Sequence, residues 1–264
     1  MTDSRPGGVA VVERYILREH NAVLAVADFS DLFEEFRRHT RRWDSEIEPL
    51  TEVMMRQGLA GAVLQLSFKV PYESIGWTLN FHKPPINCFI TGSSVQATVT
   101  GRVFTEGVQT VDNSRLYVQI HRPGSDPSQT VLDVQGLDVL EIFEQYFERS
   151  VQTSARFLEL TDEKIAMVQG LPRVDLQWLA GLDSERVRGL LDARPESVES
   201  KEFRFDCGCD AQRVVHAMHR FFSGDIEGLF QGEEGVEALC PRCGVRYWIE
   251  RTYYLDTIRQ DSDQ

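Results

Sequence analysis

No stretch of this chain approaches about 18 consecutive apolar residues, the run a helix needs to cross a bilayer, so no membrane span is expected. The opening "MTDSRPGGVAVVERYI" lacks a charged segment followed by an apolar one, which argues against a secretory signal and for a cytoplasmic, reducing location. Positive charge is scarce as well: 28 Lys and Arg face 41 Asp and Glu, a net of −13. A surface that binds phosphates needs clustered cations, so nucleic acid is not an expected partner. There is no P-loop, no dinucleotide glycine fingerprint and no Ser/His/Asp arrangement, and the six histidines are scattered. No catalytic set is assigned, and the chain does not read as an enzyme. Cysteine is rare too. Only five occur in 264 residues, yet four of them crowd into "FDCGCDAQRV" and "ALCPRCGVRYW" near the end.

What is present points to an α+β body over residues 1–171, a mostly antiparallel sheet packed with helices. "VAVVERYIL" and "AVLAVADF" read as strands with a turn near Glu19–Asn21. In "SDLFEEFRRH", Ser30 can cap a helix in which Leu32, Phe33 and Phe36 fall at helical spacing. A second helix is expected over about 46–66, capped by Asp44 or Ser45 with Pro49 in its first turns. Its small residues Gly58, Ala60, Gly61 and Ala62 would let a neighbour approach closely. The period then changes to two: Ile75, Trp77, Leu79 and Phe81, then Val95, Ala97, Val99 and Val103, then Leu116, Val118 and Ile120 alternate with more polar residues. "INCFITG" and "TVLDVQG" add two strands, which makes Cys88 a buried strand residue packing as a small hydrophobe. "LDVLEIFEQYFERS" reads as an amphipathic helix, followed by strands "ARFLEL" and "KIAMVQG". The order of elements, strands then helix then strands, excludes alternating βαβ units.

Residues 172–202 have another character. They read as two short helices between Pro172 and Pro195, the second capped by Asp183 or Ser184. Their apolar residues are too few for an independent core. Such a linker must lie against something, and if it came loose Leu176, Trp178, Leu179, Leu190 and Leu191 would be exposed with whatever they had covered. "EEFRRH" and "GEEGVE" are most simply solvated surfaces.

Cys207 and Cys209 are one residue apart, Cys240 and Cys243 two, and 30 residues separate the pairs. In an extended segment both thiols of "CGC" face one point. In "CPRCG" two thiols converge across a tight turn, with Gly244 available for a positive φ. Four soft thiolates in a reducing setting select one zinc ion in tetrahedral geometry, so residues 203–264 read as a small four-cysteine zinc domain that needs the metal as a staple. From residue 201 onward 8 Lys and Arg face 12 Asp and Glu, which disfavours a nucleic-acid zinc ribbon. His216 and His219 could join a mixed site, but one cysteine pair would then lack a role, so they are taken as helix-surface residues. A zinc module that only folds the tail, with cysteines that never cycle, remains open. So does a thiol–disulfide oxidoreductase using "CPRC", although no βαβ context surrounds it. Thiolate is also the oxidisable species. Across an extended CxC the Cα atoms are about 6.5–7 Å apart, at the edge of disulfide geometry, so oxidation there would force the backbone out of its metal-bound shape.

The stretch "FDCGCDAQRVVHAM…GDIEGLFQGEEGVEALCPRCGVRYWIERTYYLDTIR" resembles the C-terminal zinc domain of the 33 kDa heat-shock chaperonin family, redox-regulated bacterial holdases. The likeness takes in the CxC, Arg213 and its helix, the acidic turn, CxxC-Gly and the final helix. "LDVLEIFEQYFERSVQTSARFLEL" and, more loosely, "GWTLNFHKPPINCFITGSSVQATVTGRV" resemble the family's body. Two departures stand out: "NFHKPPIN" replaces a Gly-rich turn, and the linker is short. The resemblance implies a reduced, zinc-bound, inactive monomer. Oxidation would form Cys207–Cys209 and Cys240–Cys243 disulfides, release zinc and unfold the linker. A homodimer would then hold unfolding client proteins without ATP.

Overall fold

The computed structural model describes residues 8–43, 47–69, 73–222 and 224–262. The first described elements are β1 (Val9–Leu17) and β2 (Ala22–Asp28), a hairpin closed by a short turn at Arg18–His20. Helix α1 (Ser30–Trp43) follows. Ser30 is its first residue rather than its cap, and the Asp28 carboxylate accepts from the Ser30 N–H at 3.0 Å. Helix α2 (Pro49–Ser67) starts at the proline that suits a first helical position. The caps expected at Asp44 or Ser45 lie outside the described residues.

Five strands come next: β3 (Ser74–Phe81), β4 (Ile86–Ser93), β5 (Thr98–Phe104), β6 (Arg115–His121) and β7 (Ser128–Asp133). The expected alternation from Val95 fails at its start. Ala97 sits at φ +50 and the strand begins only at Thr98. Helix α3 (Val139–Tyr146), capped by the Asp138 side chain, leads to β8 (Ala155–Glu159) and β9 (Lys164–Gly170). Helices α4 (Leu176–Ala180) and α5 (Ser184–Asp192) are capped by the Asp175 and Asp183 carboxylates, the second cap as expected.

One strand escaped the sequence. The linker is expected to run to residue 202, but β10 (Glu196–Phe205) occupies the last seven residues of that span. Its segment "ESVESKEFRF" shows no apolar alternation until Phe203 and Phe205, which are buried. Charge pairing across the ladder takes the place of apolar burial: Glu196 and Glu199 meet Arg18 and Arg14 of the neighbouring hairpin.

The ten strands form one sheet in the order β7-β6-β3-β4-β5-β10-β1-β2-β9-β8. Every pairing is antiparallel except β10 with β5, so the sheet is mostly antiparallel as expected. On one face α1, α2 and α3 close the main core, in which Phe33, Phe36, Trp77 and Phe143 are buried. Helix α2 is buried nearly all round, and its small residues do let neighbours in. A Cβ on Gly61 would stand 2.9 Å from the Phe143 ring, and one on Gly58 2.9 Å from Ile90 Cδ1. On the opposite face, the β1-β2-β9-β8 half is apolar as well, and α4 and α5 cover it. Leu179, Leu182 and Val187 are buried there against Leu17, Leu24, Val26, Leu158 and Val168.

The tail beyond β10 makes a third, small core. Helix α6 (Ala211–Phe222), α7 (Ile226–Phe230), the hairpin β11 (Gly235–Leu239) and β12 (Arg246–Glu250), and α8 (Arg251–Ser262) bury Val215, Phe230, Ile249 and Tyr254. Among the described residues no helix is long and apolar enough to cross a membrane.

Candidate metal centre

Cys207 and Cys209 lie between the end of β10 and the start of α6. The segment is not extended, contrary to expectation. Gly208 adopts φ +62, its N–H donates to Asp206 Oδ1 at 2.8 Å, and the Arg213 guanidinium reaches back to the Gly208 carbonyl. A turn, not strand alternation, aims the two thiols the same way. Cys240 and Cys243 sit in the turn joining β11 to β12. Cys240 N–H donates to the Val245 carbonyl at 2.8 Å, Gly244 N–H donates to the Cys240 carbonyl at 2.9 Å, and Gly244 takes the positive φ expected of it, +82.

The two turns bring the sulfurs together. Cys207 Sγ is 3.7 Å from Cys240 Sγ, and Cys209 Sγ is 3.5 Å from Cys243 Sγ. All four lie within 4.8 Å of one another, an arrangement that could hold a metal ion. Cys240 and Cys243 are buried; Cys207 and Cys209 are half-buried. Sulfurs so close share protons. Cys240 is pulled well below the ordinary thiol range by hydrogen bonds from Cys207, Cys209 and Cys243. Cys209 is pulled to about 7, first by Cys207, then by Cys243 and the Tyr247 hydroxyl. Cys207 is pushed up by its neighbours, Cys209 first and then Cys240 and Cys243. Four thiolates cannot coexist at this spacing without a cation between them.

The module rests on the body through contacts the sequence did not announce. His39 of α1, placed above on a solvated surface, is half-buried: its Nε2 donates to the Cys243 carbonyl at 2.9 Å, and its ring meets Phe205 edge-on. Arg102 of β5 packs against Gly244, where a Cβ would stand 3.1 Å from its Nε. Asp206 N–H donates to the Val99 carbonyl at 3.0 Å. Tyr247 of β12 donates from its hydroxyl to Cys209 Sγ at 3.1 Å. His39 and Arg102 are more than a hundred residues from the thiols they approach, beyond any local pattern. The remaining candidates fall elsewhere. His216 and His219 lie outside the sulfur cluster, and both are half-buried rather than on the helix surface; His219 Nδ1 meets the Tyr254 hydroxyl at 3.0 Å. Cys88 is buried in β4, and burial pushes its thiol up to about 12, which makes it inert. Beside Cys209 and Cys240 opens an apolar hollow of about 340 Å³, walled by Val214, Met218, Phe221 and Leu239.

Of the linker candidates, Leu179 is buried, and Trp178, Leu190 and Leu191 pack at the edge of the same cluster. Trp178 stacks on His20 with ring centroids 4.0 Å apart. Leu176 is 61% exposed and covers nothing in that cluster, while Leu182 and Val187, not among the expected residues, are buried in it.

The sequence profile of the Hsp33 protein family matches residues 11–250. A 33 kDa chaperonin of Nitrosococcus oceani is 21% identical over 231 residues, covering 76% of this chain and 80% of that protein. Another, from Brevibacillus brevis, is 26% identical over 121 residues, 42% of each chain. The crystal structure of the 33 kDa chaperonin from Thermotoga maritima superposes with a TM-score of 0.74 at 16% identity, over 97% of this chain and 100% of that one. That identity speaks to fold alone, but the profile spans the body, the linker and the sulfur cluster together. The chain belongs to the Hsp33 protein family.

Proposed function

We propose that this chain is a chaperone that holds unfolding proteins without ATP, with Cys207, Cys209, Cys240 and Cys243 as its redox switch. Membership in the family supports the chaperone activity. The observation that carries the switch is the four-sulfur cluster, at one end of β10, while the helices that cover an apolar sheet face lie at the other. The donor set fits zinc. At Zn–S distances near 2.3 Å a tetrahedral site has sulfurs about 3.8 Å apart, close to the 3.5 and 3.7 Å separations across the two pairs. A zinc ion bound there would offset half of the charge of four thiolates and staple both turns to one point, worth roughly 10–16 kcal/mol in small modules.

The chain divides by role into a body (1–171), a linker (172–202) and a switch (203–264), with β10 spanning the last boundary. In the reduced form the thiolates hold the metal and the linker covers the β1-β2-β9-β8 face. Hydrogen peroxide takes two electrons from each pair: two thiolates, two protons and one peroxide give one S–S bond and two waters. Cys207 thereby joins Cys209 and Cys240 joins Cys243, and the sulfurs no longer offer thiolate donors. The small tail core then lacks its staple, α4 and α5 lose their hold, and Leu179, Leu182 and Val187 come away from Leu24, Val26 and Val168. The uncovered face binds apolar segments of clients, and the oxidised chain pairs as a homodimer.

The test measures zinc content and free thiols before and after peroxide at mild heat, alongside suppression of aggregation of a denatured client. One zinc and reduced thiols before, with zinc loss, thiol loss and holdase activity after, is the expected result. Zinc release without holdase activity overturns the switch. A second reading has one observation in its favour: β10 pairs with β1 through eight residues and ties the linker to the sheet. A constitutive zinc-stabilised module would keep its zinc and its thiols through the oxidant.

A further inference from the structure

The half-buried pair of thiols is gripped differently from the buried pair. Cys240 and Cys243 sit in a turn closed by backbone hydrogen bonds, from Cys240 N–H to the Val245 carbonyl and from Gly244 N–H to the Cys240 carbonyl, which no side-chain change removes. Cys209 accepts from a side chain, the Tyr247 hydroxyl at 3.1 Å. Tyr247 pairs with Ala238 across the hairpin whose turn carries Cys240 and Cys243. Its ring is half-buried, so the hydroxyl is aimed rather than free to swing. One hairpin therefore supplies two sulfurs and also holds a third, which belongs to the other turn.

We propose that Tyr247 is the positioning residue for Cys209, setting how firmly that sulfur is held as a metal ligand and how readily it yields to an oxidant. This rests on the metal reading given above. A hydrogen bond to a thiolate fixes the direction of its lone pairs and draws electron density from it. Both effects follow from partners just outside the ligand set, whose loss typically weakens metal binding about 10–100-fold. The same withdrawal makes the sulfur a poorer nucleophile toward peroxide. Cys209 is only half-buried, so burial alone gives it less protection than Cys240 and Cys243 receive.

The test is Tyr247→Phe in the full reduced chain, which keeps the ring and deletes the donor. Chelator competition is expected to show zinc affinity lower by about 10–100-fold, and peroxide is expected to free zinc faster. Loaded with cobalt(II), the variant is expected to show its thiolate-to-metal charge-transfer band at longer wavelength, because an unbonded sulfur gives up its electron more easily. A ring that merely packs moves neither the band nor the release rate. Affinity within about twofold of the parent, with an unshifted band, overturns the inference while the metal reading stands. A parent chain that binds no zinc overturns both. Should the Phe variant not fold, 3-fluorotyrosine at position 247, a stronger donor of nearly the same shape, must slow release and shift the band the other way; no change overturns the inference.

Discussion

Leu179→Ala tests whether the linker is a cover held by a few side chains. Helices α4 and α5 have five and nine residues. Helices this short are marginal alone, so tertiary burial must supply their order. That burial is concentrated in Leu179, Leu182 and Val187, with Trp178, Leu190 and Leu191 at the margin. Leu179 is 2% exposed and packs in one cluster with Leu24, Val26 and Val168 of the sheet. Truncating a buried leucine to alanine costs about 2–5 kcal/mol, which raises the linker's opening constant on the order of 30-fold to several thousand-fold. Amide hydrogen exchange in the reduced chain reads this directly. Residues 175–193 are expected to lose protection, while β3, β4 and α2 keep theirs, and the reduced variant is expected to suppress client aggregation without peroxide. Unchanged exchange in 175–193 would refute the argument because Leu179 would then hold nothing, and an equal loss across the whole body would refute it because the linker would then open only with the fold.

Cys240→Ser is expected to purify without zinc and to exchange the amides of α6, β11, β12 and α8 at near-unfolded rates, whereas Cys88→Ser keeps its metal; elemental analysis with exchange decides. Gly61→Ala pushes a methyl into the Phe143 ring, and overpacking of this kind is expected to lower the urea midpoint by an amount equal to about 1–3 kcal/mol. Asp28 carries a pH dependence. Hydrogen bonds from the Ser30 hydroxyl, then the Ser30 N–H, hold its carboxyl below the ordinary aspartate range. A folded value below the unfolded one stabilises the native state above the unfolded value, and the contribution is lost as pH falls through the folded value. The stability gap between the parent and Asp28→Asn is therefore expected to be full at neutral pH and to close in strong acid, as followed by denaturant titrations across that range.

The sequence displayed the elements whose side chains obey a period. Leu32, Phe33 and Phe36 marked α1, and Ile75, Trp77, Leu79 and Phe81 marked β3, because each set shares one buried face. The thiols were legible because their spacing is itself the chemistry. β10 was not legible, since half its strand is held by backbone pairing and by Arg14 and Arg18 rather than by apolar burial. Nor was the CxC turn, because Gly208 alone does not reveal a positive φ when an extended strand would also bring the thiols to one side. His39 and Arg102 stayed hidden for another reason: their partners lie far along the chain, and only the folded sheet delivers them.

β10 also constrains how the molecule can be made. It alone joins β5 to β1 by backbone hydrogen bonds among the described residues, yet β5 ends at Phe104 and β10 begins at Glu196. During synthesis from the N-terminus the body therefore emerges from the ribosome with two bare strand edges, each a template for mispairing with another nascent chain. They close only when the segment next to the first thiol pair arrives, so this protein must survive its own period as an aggregation-prone intermediate.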